Sequence, residues 1–330
     1  MGFLYVIKCP TSKGKVIYMI VLKDVNKDFG KKKTLKNITF HIAPGEKVGV
    51  IGLNGAGKTT LLNTIAGMIH PSSGFVRVNG MENLIDNKER LKSLSYISGT
   101  KTQLWEDLTV KASYDNLAKM YGIKDLQSRL ENLSEVFEIN KYLNTRPKEL
   151  SLGEKMRCEL VYGLLTNPKL LMIDEALLGL DVSVKYKIMK YFERYKEEKQ
   201  STIIYTSNNL IEVEKICDRI ILIDEGEIIF DGDIGRILKE FAPLYKMEIV
   251  LDGKTPDLED LPIEKYTMDN DRITIAYDKN KVDTAQIIKH IMEKCNVKDV
   301  KLYEPNLENV IKKIYERNEI NGKYNRSKKS

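Results

Sequence analysis

The sequence predicts an α/β protein in which a mostly parallel sheet is covered on both faces, a helical insertion interrupts it, and a small α+β domain follows. From Val21 to about Glu240, short apolar runs alternate with helically spaced segments, the pattern of parallel strands joined by crossover helices. Residues 111–165 keep helical spacing with no strand between them. After Phe241-Ala242-Pro243 the pattern changes to alternating, half-exposed strands and amphipathic helices. A chain of 330 residues has room for about two such domains.

Taken in order, residues 1–18 hold two short apolar runs and read as an N-terminal extension, either an extra leader or residues ahead of a start at Met19, with no signal-peptide features. Met19–Leu22 is strand-like, and Asp24–Lys27 reads as a turn. Val48–Ile51 is a short β-branched run that ends in a Gly-rich loop, and Thr59–Ile69 reads as a helix. Lys111–Tyr121, Leu126–Val136 and Lys155–Leu165 build the insertion. Leu170–Ile173, Ser201–Tyr205 and Arg219–Ile223 read as buried strands, the last closed by the hairpin signal Asp224-Glu225-Gly226. Beyond 241, strands at Lys246–Leu251, Arg272–Tyr277 and Val297–Tyr303 accompany helices at Val282–Cys295 and Leu307–Glu316. The expected domains are therefore 19–240, with a helical subdomain at 98–165, then 241–318. A basic tail over 319–330 reads as disordered.

Composition excludes several classes. Hydrophobic residues make up 42% and charged residues 30%, which suits a globular chain rather than a disordered one. The longest unbroken apolar run, Val16–Leu22, falls far short of the ~20 residues that a membrane-spanning helix needs. Four scattered cysteines argue against a disulfide-stapled scaffold or a Cys-only zinc site. A net charge of +6, with clusters only at Lys31–Lys33 and Arg326–Lys329, lacks the dense basic footprint of a nucleic-acid partner, and none is expected.

Gly52-Leu53-Asn54-Gly55-Ala56-Gly57-Lys58-Thr59 fits G-x-x-x-x-G-K-[ST], with a strand before it and a helix after. Glycines let the backbone curl so that successive N–H groups face a phosphate, and the helix N-terminus adds its positive end. Asn54, Gly55, Ala56, Gly57, Lys58, Thr59 and Thr60 are the candidate nucleotide-binding residues. Lys58 can reach the β- and γ-phosphates, and the Thr59 hydroxyl can hold Mg²⁺. Asp174 and Glu175 end the buried run Leu170–Ile173. Asp174 suits the metal, through water, and Glu175 suits polarising an attacking water, help typically worth ~10²–10⁴ in rate. A phosphate loop alone does not separate a kinase from a GTPase or a transport ATPase.

Leu150-Ser151-Leu152-Gly153-Glu154, 23 residues before Asp174 when counted from Ser151, resembles the LSGGQ signature of ABC ATPases. Asp181 in Gly179-Leu180-Asp181 completes that family's order, and the resemblance covers roughly residues 19–240. It implies a P-loop NTPase of the ABC-ATPase fold, with ATP and Mg²⁺ as cofactors. It further implies that Ser151, Leu152, Gly153 and Glu154 meet ATP held by an opposite protomer, with Asp181 as the D-loop residue. The resemblance assigns Phe29 to adenine stacking. Thr100–Trp105, Tyr121-Gly122 and Tyr303–Glu308 resemble the narrower sodium-, daunorubicin- and polysaccharide-export subgroup. Membership there implies a separately encoded ABC-2 type permease as partner and a place at the cytoplasmic face of the membrane. Trp105, the single tryptophan, either lines the permease groove or is a core aromatic.

The chain also departs from the family. Counting back nine residues from Thr109, the glutamine position holds Thr100, and Gln103 lies three residues later. Asn208 stands where a switch histidine is expected, and the three histidines, at 41, 70 and 290, lie elsewhere. Asn can hydrogen-bond phosphate but cannot carry positive charge. Three outcomes stay open: a slow motor, one half of a heterodimer, or a nucleotide-gated regulator. A soluble, non-transport ABC ATPase and a phosphate-loop kinase are the competing classes.

Overall fold

The computed structural model describes residues 18–82, 92–177, 179–199, 201–241, 244–252, 256–258 and 261–320. The expected N-terminal extension, apart from residue 18, and the tail beyond 320 lie outside them. The chain divides into two compact units after Gly232.

In the first unit, β1 (Ile20–Phe29), β2 (Lys32–Ile42), β4 (Ser73–Val78) and β5 (Met81–Glu82) form an antiparallel sheet in the order β2-β1-β4-β5. A second sheet has the order β10-β9-β3-β8-β7-β6. Its strands are β3 (Lys47–Ile51), β6 (Leu94–Ser98), β7 (Leu170–Asp174), β8 (Thr202–Thr206), β9 (Arg219–Asp224) and β10 (Glu227–Asp233). From β6 to β9 the pairings are parallel. Parallel strands need crossovers that cover the sheet faces, and every residue of β3, β6, β7 and β8 is buried.

Register matters most for function. Ser98 stands opposite Asp174, Asp174 opposite Thr206, and Thr206 opposite Val50. The carboxyl ends of four neighbouring strands therefore form one row, where open α/β sheets place their ligands.

Helix α1 (Lys58–Ala66) follows β3 and buries Leu61, Leu62 and Ile65 against the core. It stops at Ala66 rather than Ile69 because Gly67 turns left-handed at φ 84°, and its N–H is donated to Asn63 O and Thr64 O. β1 runs on through Asp24–Lys27, where a turn was expected. Asp24 takes φ 52°, and register shifts on either side of Val25 absorb the irregularity as bulges. Between β6 and β7 lie α2 (Val110–Tyr121), α3 (Leu126–Val136) and α4 (Leu152–Leu165). The α2 start is set by Thr109, whose hydroxyl accepts the Ala112 N–H at 3.2 Å. Helices α5 (Val182–Lys199) and α6 (Leu210–Ile216) complete the unit.

In the second unit, α7 (Ile234–Phe241) precedes an antiparallel sheet of order β12-β13-β11-β14. The strands are β11 (Leu244–Asp252), β12 (Lys265–Asp269), β13 (Arg272–Asp278) and β14 (Asn296–Tyr303). Helix α8 (Thr284–Lys294) packs Ile287 and Ile291 against Met247, Ile249, Ile273 and Ile275. The division falls ahead of the expected 241 because α7 packs on α9 (Leu307–Ile320), within the second unit. Helix α9 continues to Ile320, past the expected start of the tail.

Candidate functional site

The glycines of the loop after β3 are demanded by its path. A side chain on Gly52 would come within 2.2 Å of the Ile223 carbonyl oxygen. Gly55 and Gly57 sit at φ 83° and 110°, which only glycine adopts without strain. Leu53, Asn54, Gly55 and Thr59 are exposed at the mouth, Thr60 is half-buried, and Ala56, Gly57 and Lys58 are buried. Lys58 Nζ donates to the Gly52 carbonyl at 2.8 Å and lies 3.7 Å from Glu175 Oε1. Its charge is thus folded back over the loop and faced by a carboxylate.

Asp174 is buried, and both its oxygens are occupied. Thr206 Oγ1 donates to Oδ1 at 2.6 Å, and Tyr96 OH donates to Oδ2 at 3.0 Å. Burial, then the charge of Asp174, then that hydrogen bond hold the Tyr96 phenol well above its ordinary range. Glu175 takes φ 54°, a left-handed conformation unusual for a non-glycine residue. Its N–H is held at 3.1 Å by both the carbonyl and the hydroxyl of Thr206. Gly99 N–H donates to the Asp174 carbonyl at 2.8 Å, and a side chain there would strike the Glu175 carbonyl at 2.6 Å.

Ser151 caps α4 in a capping box. Its hydroxyl accepts the Glu154 N–H at 3.4 Å, and Glu154 Oε2 accepts the Ser151 N–H at 2.9 Å. Leu152 is exposed, and a side chain on Gly153 would come 2.9 Å from the Gly179 carbonyl, so the segment leading to Asp181 packs on the start of α4. Asp181 is exposed and its carbonyl accepts the Lys185 N–H at 2.9 Å in the first turn of α5.

Phe29 ends β1 half-exposed, with Lys27 Nζ 5.1 Å from its ring centroid. The same hairpin reaches the glycine loop, since the Thr34 carbonyl lies 3.0 Å from where a Gly57 side chain would begin. Thr100 is exposed and its hydroxyl bonds Ser98 Oγ at 3.1 Å. The Gln103 amide is bound to the Tyr96 carbonyl at 2.5 Å and so is turned toward β6. Asn208 is exposed on the loop between β8 and α6. Trp105 is 49% exposed, which rules out the core-aromatic alternative. His290 bonds a backbone carbonyl, Asp257 O, at 3.0 Å.

Four polar residues of this region were not read from the sequence. Tyr96 and Thr206 clamp Asp174. Glu212 is buried and accepts from Tyr205 OH at 2.6 Å, Ser207 Oγ at 2.7 Å, Asn209 Nδ2 at 3.3 Å and Lys185 Nζ at 3.1 Å. It fixes the loop that carries Asn208 and ties it to α5. Glu159, on α4, is 1% exposed and accepts from the loop at 102–104. Burial pushes its carboxyl up, while the Thr102 hydroxyl and the Leu104 and Gln103 N–H groups pull it back. The one signal for Thr206 was its place at the end of an apolar run. Glu212 and Glu159 gave none, because an acid on a helix ordinarily reads as surface.

A glycine loop at a helix N-terminus, a lysine beside it and a hydroxyl-clamped carboxylate at the end of β7, two strands from β3, form a donor set suited to phosphate and a hard, oxygen-preferring cation. With the parallel sheet, this defines a P-loop nucleoside-triphosphatase fold. A family model described as ABC transporter matches residues 35–178. The chain is 31% identical over 220 residues to the ABC transporter ATP-binding protein NatA of Bacillus subtilis (strain 168), covering 65% of this chain and 89% of that one. It is 33% identical over 224 residues to the methionine import ATP-binding protein MetN of Clostridioides difficile (strain 630), covering 66% and 70%. Among solved structures, a dimeric post-hydrolysis state of the ATP-binding cassette MJ0796 bound to ADP and Pi matches with a TM-score of 0.60 and 25% identity, over 65% of this chain and 98% of that one. The chain belongs to the ABC transporter family and is an ATP-binding subunit with ABC-type ATPase activity. Relatives include an import protein, so family membership does not set the direction of transport. Among the described residues, no helix is long and apolar enough to cross a membrane.

Proposed function

We propose that this chain powers a separately encoded ABC-2 type membrane permease in an exporter, working as a homodimer or a heterodimer at the cytoplasmic face of the membrane. The observation that carries the catalytic part is the row of strand ends, which holds Asp174, with Glu175 next to it and Lys58 Nζ 3.7 Å from Glu175. The export direction is supported by the resemblance at Thr100–Trp105 and Tyr303–Glu308, and the permease contact by the exposure of Trp105.

In this reading Lys58 leaves Glu175 and Gly52 O and binds the β- and γ-phosphates, while the N–H groups of 54–60 line the phosphate chain. Phe29 stacks on adenine. Thr59 and, through water, Asp174 would hold Mg²⁺, whose charge would offset that of the phosphates. Glu175, freed from Lys58, orients the attacking water. Ser151, Leu152, Gly153 and Glu154 close on the nucleotide of the opposite protomer, and Asp181 lies at that interface. Thr100 and Asn208 supply neither a long amide nor a positive charge. Losing a positioned polar group can cost ~2.7–4 kcal/mol of transition-state stabilisation, so turnover is slow. The same two departures favour, as a second reading, a subunit that relies on a catalytic partner in a heterodimer.

The test is Mg-ATP turnover together with equilibrium ATP binding, with Glu175→Gln as control. The expected result is binding in both proteins and slow turnover in the wild type only. Binding without wild-type turnover would overturn the homodimeric motor, and absence of binding would overturn both readings. Co-purification with a multi-span permease is the expected result for the partner.

A further inference from the structure

Loop 102–107 is attached on three sides, one of them α2, where the Ser113 hydroxyl accepts the Trp105 N–H at 3.2 Å. Toward the sheet, the Gln103 amide holds the Tyr96 carbonyl at 2.5 Å. Toward α4, one carboxylate, Glu159, takes the Thr102 hydroxyl, the Gln103 N–H at 2.9 and 3.1 Å on its two oxygens, and the Leu104 N–H at 3.2 Å. One helical turn earlier, Lys155 pairs with Glu106 at 3.2 Å, and Lys148 pairs with Asp107 at 2.9 Å. Those two pairs are solvated and weak. Glu159 differs in kind: it is 1% exposed, and a buried carboxylate that loses its donors leaves a charge without water. Its partners lie 55 to 57 residues away in the chain, so the contact joins two segments that share no local structure.

We propose that Glu159 is a positioning residue, a buried pin that locks loop 102–104 to α4, so that the loop and the helix start carrying Ser151 shift as one body. The pin depends on no export role. It predicts that any displacement of the loop at Thr100–Trp105 is delivered to Ser151 along a stiff helix rather than lost in a flexible connection.

The experiment uses the full chain and Glu159→Gln, which removes the charge and sets an NH₂ group in place of Oε2, against the Gln103 N–H. Without nucleotide, amide exchange of the 102–105 segment is expected to rise about tenfold or more in the variant, as for the loss of charge-assisted bonds. The phosphate loop and the second unit keep their exchange rates. Trp105, as the only tryptophan, reports the loop alone, and its fluorescence anisotropy falls. With Mg-ATP, the wild-type Trp105 signal and α4 exchange change with one midpoint. In Glu159→Gln they separate, while ATP affinity stays within about twofold, the phosphate loop keeping all its bonds. Unchanged 102–105 exchange, or an unchanged shared midpoint, would overturn the pin. Thr102→Val, which removes one donor from the loop side, is expected to give a smaller rise at the same segment, and no rise would also overturn it. Glu106→Gln is expected to do nothing, and an effect as large as that of Glu159→Gln would assign the coupling to the solvated pairs instead. The nucleotide-free arm separates failure of the pin from failure of the ATPase reading, which shows as lost ATP binding.

Discussion

The parallel sheet of the first unit and the antiparallel sheet of the second bury their side chains in opposite ways. In β7 and β8 every residue is buried, whereas in β13 buried Ile273, Ile275 and Tyr277 alternate with Arg272, Thr274, Ala276 and Asp278, which are more exposed. A strand buried on both faces can present polar chemistry only where it ends, and Asp174 and Thr206 stand there. A strand with one wet face spreads its polar groups along its length, as Lys246 and Glu248 do, paired at 2.7 Å with Tyr303 OH donating to Glu248 at 3.0 Å. The first arrangement concentrates function at a rim, and the second makes a solvated surface.

That contrast can be broken at either sheet. The largest expected effect is in the second unit: Ile249→Ala, at a fully buried position, should cost that unit ~2–5 kcal/mol and leave ATP binding intact. A thermal melt with and without ATP checks it, and lost binding would show that the units are not independent. Next, Lys58→Ala should weaken ATP binding by ~1.5–3 kcal/mol, about ten- to a hundredfold, with the melting of the second unit unchanged. Smallest, Asn208→His should raise turnover about fivefold, because a charged donor is roughly twice as strong as a neutral one. Unchanged or lower turnover would show that the Asn208 loop, held by Glu212, is already built for an amide.

Strand and helix identity was legible where burial was continuous or periodic. Leu170–Ile173 announced β7, and Leu126–Val136 coincides with α3. β12 was missed because all five of its residues are exposed, which leaves no hydrophobic pattern to read. α1 was read three residues too long because Met68 and Ile69 continue the apolar spacing past the left-handed Gly67. In the site, a local string marks the glycine loop, but the groups that orient its neighbours come from far away. Tyr96 meets Asp174 across 78 residues, and Glu159 meets its loop across 55 to 57. Such pairs follow from sheet register and helix packing, which no short segment encodes.

The left-handed backbone of Glu175 has an evolutionary consequence. The residues that relax such a backbone are Gly, Asn and Asp, and each withdraws the carboxylate or shortens its reach toward Lys58. At this position, conformational comfort and chemistry are in conflict. Glu175→Gly should melt higher than the wild type and fail to turn over ATP, so a lineage that drifts toward stability here drifts away from hydrolysis.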